Sequence, residues 1–502
     1  MNANRQGLHP DPHRGFQGLP RLPGRVLSKM LWGIAIAALG MQIALAQPEH
    51  DPLSSLPPQM ASGWPLPGDS RVYPCGPEWN NTQPLALEQA VDLALCSNPQ
   101  VRAVWAAIKV QAAALGEARA ANLPTANMTV GTVRDETRYP GTALETNAQK
   151  GETASANFTW RLWDLGTRSA NQRSAQQLLD AALFSHNALL QKLLSNVVSA
   201  YFDVQTTRAA WLARQQTEEL AQTTLDISTR RQNQGVGAPS DTLQAATALA
   251  KARLERSRAK GAYDKAQAVL MNLTGLNHRT GLSVQEAASG APTGATTPLM
   301  SDLKSDLDLW LERATNHPSV LAARAQLSAA QEKIKSAEAE GFPTLDFSTN
   351  YYDNGRPGQG LSSTKTQQTL ASVTLNIPLF EGFGRTYKVR GAQALAEQRS
   401  AELQDSERQI LLEVVRTHAD ALAALDNLEA SHDLQRWAQE AAASVQRRYE
   451  RGVSDILEMI TAQAALADAR QERIRALSEW QSARLKLLAS SGVIGRESVG
   501  MR

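Results

Sequence analysis

The 502-residue chain carries 8 histidines, 2 cysteines and 49 acidic residues, but their spacing assembles no reactive centre. His186, His278, His317 and His418 are scattered, and no pair stands at metal-ligand spacing with other donors. No G-x-S-x-G nucleophile is present, and no two carboxylates are paired in a way that acid–base chemistry requires. Gly235-Val236-Gly237 lacks the preceding strand and the third glycine of a phosphate loop. The residues therefore predict neither an enzyme nor a cofactor or metal site. The cysteines, Cys75 and Cys96, form an even pair; in an oxidising compartment they are a candidate disulfide, with two free thiols as the alternative.

The compartment is suggested by the N-terminus. Arg21, Arg25 and Lys29 precede the apolar run "MLWGIAIAALGMQIALA", and Ala44-Leu45-Ala46 has the small-x-small form of a cleavage site. Residues 1–46 read as a secretory signal with a long front end; the alternative, a membrane anchor, needs a longer apolar run. Cleavage removes five basic residues (Arg5, Arg14, Arg21, Arg25, Lys29) and one acid, Asp11, turning a formal charge of +2 into −2. The mature part has no nucleic-acid footprint. No cysteine stands at the cleavage point, so a lipid anchor is not expected.

Chemistry being thin, the larger pattern carries more information. The chain matches itself at an offset of about 217 residues: "LWDLGTR" (162–168) answers "LFEGFGR" (379–385), and "RRQNQGV" (230–236) answers "RRYERGV" (447–453). "SGAPTGATTP" (289–298) between the halves has linker composition. The predicted organisation is a signal at 1–46, an N-terminal extension at 47–83, a first repeat at 84–282, a linker at 283–305, a second repeat at 306–492 and a tail at 493–502.

Each half predicts the same order. A helix of about 37 residues (Leu85 to Ala121; Asp306 to Glu340) ends at a proline, and two alternating segments follow. Then comes a proline-free run of about 68 residues (Thr167 to Gln234; Arg385 to Arg451), with apolar side chains at helical spacing in Leu190, Leu193, Leu194, Val197, Val198 and Tyr201. A last helix of about 35 residues closes at Gly275 or Gly492. At 1.5 Å per residue the long helices span roughly 100 Å and the others roughly 50 to 55 Å, so two short helices end to end match one long one.

The alternating segments are Ala126–Val133, Ser155–Leu162, Leu345–Tyr352 and Ser372–Leu379. Phe158, Trp160 and Leu162 share one face; Asn157, Thr159 and Arg161 share the other. One apolar and one wet face is the pattern of an outer-membrane barrel strand. Trp160, Trp163 and Tyr351 fit interfacial aromatics, and core packing fits them as well. Four strands cannot close a membrane barrel, and unpaired edges in lipid cost several kcal/mol per group. A spanning chain must oligomerise, and three copies would give twelve strands.

With "NPQVRAVWAAIKVQAAALGEARAANLPT", "LNIPLFEGFGR" and "RRYERGVSDILEMITAQAALADAR" on one duplicated frame, the chain resembles the TolC family of outer-membrane channel-tunnels from residue 84 to about 492. The resemblance implies a mainly α fold with transmembrane β: a homotrimer whose 12-stranded β-barrel is continuous with a 12-helix periplasmic α-barrel. Its partners would be outer-membrane lipid, a periplasmic adaptor (membrane fusion) protein and an inner-membrane ABC or other pump, with an exported protein or drug as cargo. The absent lipid anchor and the two N-terminal cysteines resemble the branch serving type I protein secretion, including exporters of adenylate cyclase toxin and haemolysin-like proteins; multidrug efflux is the close alternative.

By the same resemblance, the helix-to-helix turns dock the adaptor through Gly235, Val236, Gly237, Gly452, Val453 and Ser454. Gate positions of the family fall on Asp241, Tyr449 and Glu458. Ser454 stands where the best-known member has a gate arginine, with Arg451 nearby. An alternative role for Asp241 is a charge favoured by the helix dipole. The expected barrel aromatics are Phe158, Trp160, Phe347 and Tyr351. A periplasmic coiled-coil adaptor is the remote alternative, and would carry one helical hairpin between small β-domains.

Overall fold

The computed structural model describes residues 51–56, 79, 83–137, 140–141, 147–277, 282–285, 307–354, 366–451, 453–492 and 494–495. The expected signal at 1–46, Cys75 and Gly452 lie outside the described residues. Contacts divide the chain into Met1–Ser54 and Ser55–Arg502. In the first unit Ser54 N–H donates to the Asp51 carbonyl at 3.3 Å; the second holds every element below.

Two short helices open it, α1 (Leu87–Ser97) and α2 (Pro99–Ala120), followed by β1 (Thr125–Thr137), β2 (Asn147–Trp163), α3 (Thr167–Asn233) and α4 (Pro239–Thr274). The same order then recurs as α5 (Leu307–Ala314), α6 (Pro318–Ala339), β3 (Thr344–Asn354), β4 (Thr366–Asn376), α7 (Gly384–Glu450) and α8 (Ile456–Ser490). The single first helix expected in each half is broken. Asn98 precedes Pro99 and His317 precedes Pro318, and both are extended (ψ 126° and 135°) because a proline ring disfavours helical backbone in the residue before it. Each residue then caps the next helix: Asn98 Oδ1 accepts from Gln100 N–H at 2.8 Å and His317 Nδ1 from Ser319 N–H at 3.2 Å.

The two longest helices, α3 and α7, have 67 residues each, and the six apolar residues Leu190 to Tyr201 of α3 are all buried. They lock against Leu95 of α1, Leu270 of α4 and Leu485 of α8 in one core. The shorter helices stack end to end along the long ones. α4 ends at Gly275, where an added Cβ would meet the Ser97 Cβ at 3.3 Å, and Asn98 Nδ2 donates to the Leu273 carbonyl at 3.1 Å. Likewise α8 ends beside the start of α6, with Gly492 against His317 and the Gln191 amide donating to the Gly492 carbonyl at 2.8 Å. α6 and α8 each pack against both α3 and α7.

The four strands form one antiparallel sheet in the order β1-β2-β3-β4. Directly opposed residues share a face: Met128 opposes Ala156, Trp160 opposes Phe347 and Phe347 opposes Val373 on the apolar side. Asn127 opposes Asn157 and Ser348 opposes Ser372 on the polar side. β2 runs well beyond the expected Ser155–Leu162. The register slips between Arg161 and Trp163, so Leu162 is the bulged residue and Trp163, rather than Leu162, opposes Leu345. β4 stops at Asn376, short of the expected Leu379, because Pro378 has no N–H to give a ladder. No helix among the described residues is long and apolar enough to cross a membrane.

Candidate functional site at the helical tips

α3 and α4 form one hairpin, α7 and α8 another, and the sequence-predicted docking and gate residues fall on their two turns. α3 ends in a Schellman turn: Gly235 takes φ +74° and donates to the Gln232 carbonyl at 2.9 Å, while Val236 N–H reaches back to the Arg231 carbonyl at 3.0 Å. Val453 N–H repeats that bond to the Arg448 carbonyl at 3.0 Å, 217 residues on. Gly237 folds so tightly on α3 that a Cβ there would lie 2.9 Å from the Gln232 nitrogen. The Thr242 hydroxyl donates to the Gln232 side chain, closing the first hairpin at 2.5 Å. Both turns present their valines to solvent, Val236 at 67% and Val453 at 68% exposure.

The expected gate residues separate into two groups. Tyr449 is only 3% exposed, packed with Ile456 and Met459 against Ile227 of the other hairpin. The Arg231 guanidinium sits 5.1 Å from its ring centre, and Arg231 Nη1 lies 3.5 Å from the Tyr449 carbonyl. Burial pushes the Tyr449 phenol above its ordinary pKa; the Arg231 cation opposes the shift and the Asp241 carboxylate adds to it, which places Asp241 in the same electrostatic neighbourhood. Glu458 belongs to a second group: Arg448 Nη1 bonds it at 2.8 Å, the Ser454 hydroxyl bonds its other oxygen, and Asp455 caps α8 by accepting the Glu458 N–H at 2.7 Å. Arg451 ends α7 as an exposed residue, its N–H on the Arg447 carbonyl at 3.3 Å. Arg231 and Arg448 were not singled out in the sequence. Their equivalence at the 217 offset, inside "RRQNQGV" and "RRYERGV", was the available signal.

At the other end, Phe158 meets Phe347 edge-on at 6.2 Å and the Trp160 indole donates to the Asn122 carbonyl at 3.0 Å. Trp160 and Tyr351 remain 40% exposed on the apolar face. On the polar face Arg161 pairs with Asp346 at 2.8 Å. Where β2 turns into α3, the Arg168 guanidinium binds Asp164 at 2.8 Å and the Arg161 carbonyl at 2.8 Å, fixing strand to helix with little loop between them. Cys96 is disulfide-bonded; the expected partner, Cys75, lies outside the described residues.

A sheet with one lipid-compatible face that passes directly into roughly 100 Å helices defines an outer-membrane channel with a helical tunnel beneath it. The chain belongs to the outer membrane efflux protein family, which it matches over residues 90–276 and 311–493. It is similar to Protein CyaE of Bordetella pertussis, 33% identical over 482 residues that cover 95% of this chain and 97% of that one. Outer membrane protein TolC of Escherichia coli is 22% identical over 427 residues, 82% of this chain and 83% of that one. Among solved folds, the transmembrane channel CusC superposes with a TM-score of 0.72 at 17% identity, over 89% of this chain and 99% of that one. The protein is an outer-membrane export duct with a long periplasmic extension.

Proposed function

We propose that three copies close into a 12-stranded barrel above a 12-helix tunnel, and that the two hairpin tips form the periplasmic mouth that meets an adaptor protein and, through it, an inner-membrane pump. The observation that carries this reading is the open sheet. Among the described residues β1 and β4 each have one unpaired edge, while the apolar face exposes Met128, Val130, Trp160, Val373 and Leu375. An open edge in hydrocarbon is untenable, and closure by copies of the same chain satisfies every strand. Twelve strands also leave a lumen, whereas eight are filled by side chains. The two tandem halves give each chain two hairpins, so three chains give the tunnel near six-fold regularity.

The cargo is a protein, exported by a type I system; this rests on the branch resemblance and on similarity to Protein CyaE across nearly its whole length. The family's description as outer membrane efflux proteins keeps small-molecule efflux as the second reading. Deleting the gene and comparing culture-medium proteins with drug susceptibility separates them. Loss of one or a few secreted proteins at unchanged susceptibility is expected; broad drug sensitivity with an intact secreted set would replace the protein reading by the efflux one. Purified protein that runs as a monomer without heating and conducts no current in a planar bilayer would overturn the duct itself.

A further inference from the structure

The two halves are built alike but are covered differently. α2 and α6 are both 22 residues long and begin at Pro99 and Pro318, so each residue of α2 answers the one 219 positions later in α6. In α6 the residues Ala322, Ala325 and Ala329 share one face at helical spacing and are only 3 to 6% exposed. There the Ser174 hydroxyl of α3 donates to the Ala329 carbonyl at 2.9 Å. Their counterparts on α2 are Ala103, Ala106 and Val110, all exposed, Val110 at 64%. α2 packs its opposite face, Ile108, Ala112 and Leu115, on Leu179 of α3. The face of α2 that answers the buried face of α6 therefore meets no long helix among the described residues.

The matching open face is on α7. Gly391 answers Ser174 after 217 residues, and it is exposed, with nothing within 4 Å of an added Cβ. Glycine weakens a helix interior and suits it where another chain must come close. α4 repeats the arrangement. Ser478 of α8 donates to the Phe202 carbonyl of α3 at 3.4 Å, and its counterpart on α4 is Gly261, again with nothing within 4 Å of an added Cβ. At both places a serine seals the seam inside the chain, and a glycine stands open at the answering position. The opposed sizes change together: Ser174 on Ala329 becomes Gly391 against Val110, one side chain shrinking as the other grows. Charge follows the same rule. The Ser336 hydroxyl donates to Asn171 at 2.9 Å within the chain, and the answering residues are Glu117 on α2 and Lys388 on α7, an acid and a base. Lys388 is held by Glu340 of its own chain, which Glu117 of another copy would join.

We propose that Gly391 is the seat for Val110 of a second copy of this chain, so that α7 of one copy runs along α2 and α4 of the next as α3 runs along α6 and α8 within a copy. The inference rests on the reading of three copies closed into one tube, and adds which helices meet and at which residues.

The test produces two tagged full-length chains together, one with Val110→Cys and the other with Gly391→Cys, and treats the assembled protein with a short bifunctional maleimide. A covalent product carrying both tags is expected. Val110→Cys with Gln393→Cys should give none, because Gln393 lies about 200° around α7 from Gly391. Gly391→Leu should lower the recovery of heat-resistant trimer by roughly tenfold or more, the scale of an overpacked contact. Gln393→Leu should leave it unchanged. The sign is diagnostic, since leucine is a better helix former than glycine and a face open to water would gain by the change. Gly391→Ser with Val110→Ala rebuilds the Ser174–Ala329 pair and should assemble as wild type does. Unchanged or raised trimer recovery in Gly391→Leu overturns the seat. If Gly391→Leu yields no folded protein, the cross-link decides alone. A wild-type trimer in which positions 110 and 391 never join removes the seat and leaves the duct; a wild-type chain that forms no oligomer removes both.

Discussion

At the tips, two carboxylates occupy the same position in the two halves: Asp241 in the first turn of α4 and Glu458 in the first turn of α8. Both lie at the positive end of a helix dipole, which favours negative charge and needs no gate to explain it. Their setting differs, since Glu458 is neutralised by Arg448 while Asp241 has the Ser240 hydroxyl at 3.3 Å and shares the neighbourhood of Tyr449. If the proposed trimer brings six such acids to one constriction, they select cations and restrict flow. Asp241→Ala combined with Glu458→Ala should therefore raise single-channel conductance and weaken cation preference, read from reversal potentials across a salt gradient. Unchanged values in both would remove the pair from the gate. These acids were legible because position alone identifies them. Arg231 was not, because whether a guanidinium turns to the acid in its own hairpin or to a ring in the next is decided by packing between segments 218 residues apart.

The ends of elements obey local rules that can be tested locally. His317 caps α6 with Nδ1 as acceptor, is 7% exposed, and is pushed down to about 4 by burial. In the unfolded chain it would titrate near the ordinary value of about 6.5, so between those values the unfolded state holds the extra proton. The contribution is fully present above about pH 6.5, is lost progressively as pH falls, and is gone by about pH 4. Its ceiling is about 3 kcal/mol. His317→Asn, the residue that the first half uses at Asn98, keeps an acceptor at the cap and removes the titration. Denaturant unfolding at pH 7 and pH 5 should show wild type weakening at the lower pH and the variant weakening less; equal losses would exclude His317 as the source. Both caps were visible as X-Pro dipeptides. Helical periodicity continues across each break and so conceals it in the sequence, while the residue before proline does not stay helical. The 67-residue helices were read almost to the residue, since only a proline or a glycine pair ends so long a pattern. The bulge at Leu162 left no sign: alternation holds on both sides of it, and only pairing with β3 reveals the slip.

For the whole molecule the decisive quantity is which face of the sheet meets lipid. Pairing places Val373 opposite Phe347 on the apolar face and Thr374 opposite Asp346 on the polar one, so two adjacent residues of β4 face opposite solvents. In the proposed barrel Val373 points into hydrocarbon and Thr374 into the lumen. A charge on the lipid side of such a strand costs about 2 to 4 kcal/mol near the midplane and little at the interfaces, and a trimer would bear the cost three times. Val373→Arg should thus abolish most of the heat-dissociable trimer recovered from outer membranes. Thr374→Arg should leave the trimer intact and alter conductance instead, because it adds a cation to the lumen wall. The comparison is internally controlled, as both changes add the same side chain at neighbouring positions of one strand. Equal trimer yields with equal conductance would mean that this sheet does not form the wall between lipid and water. A loss confined to Thr374→Arg would mean that the polar face of the β3–β4 pair, and not the apolar one, meets lipid.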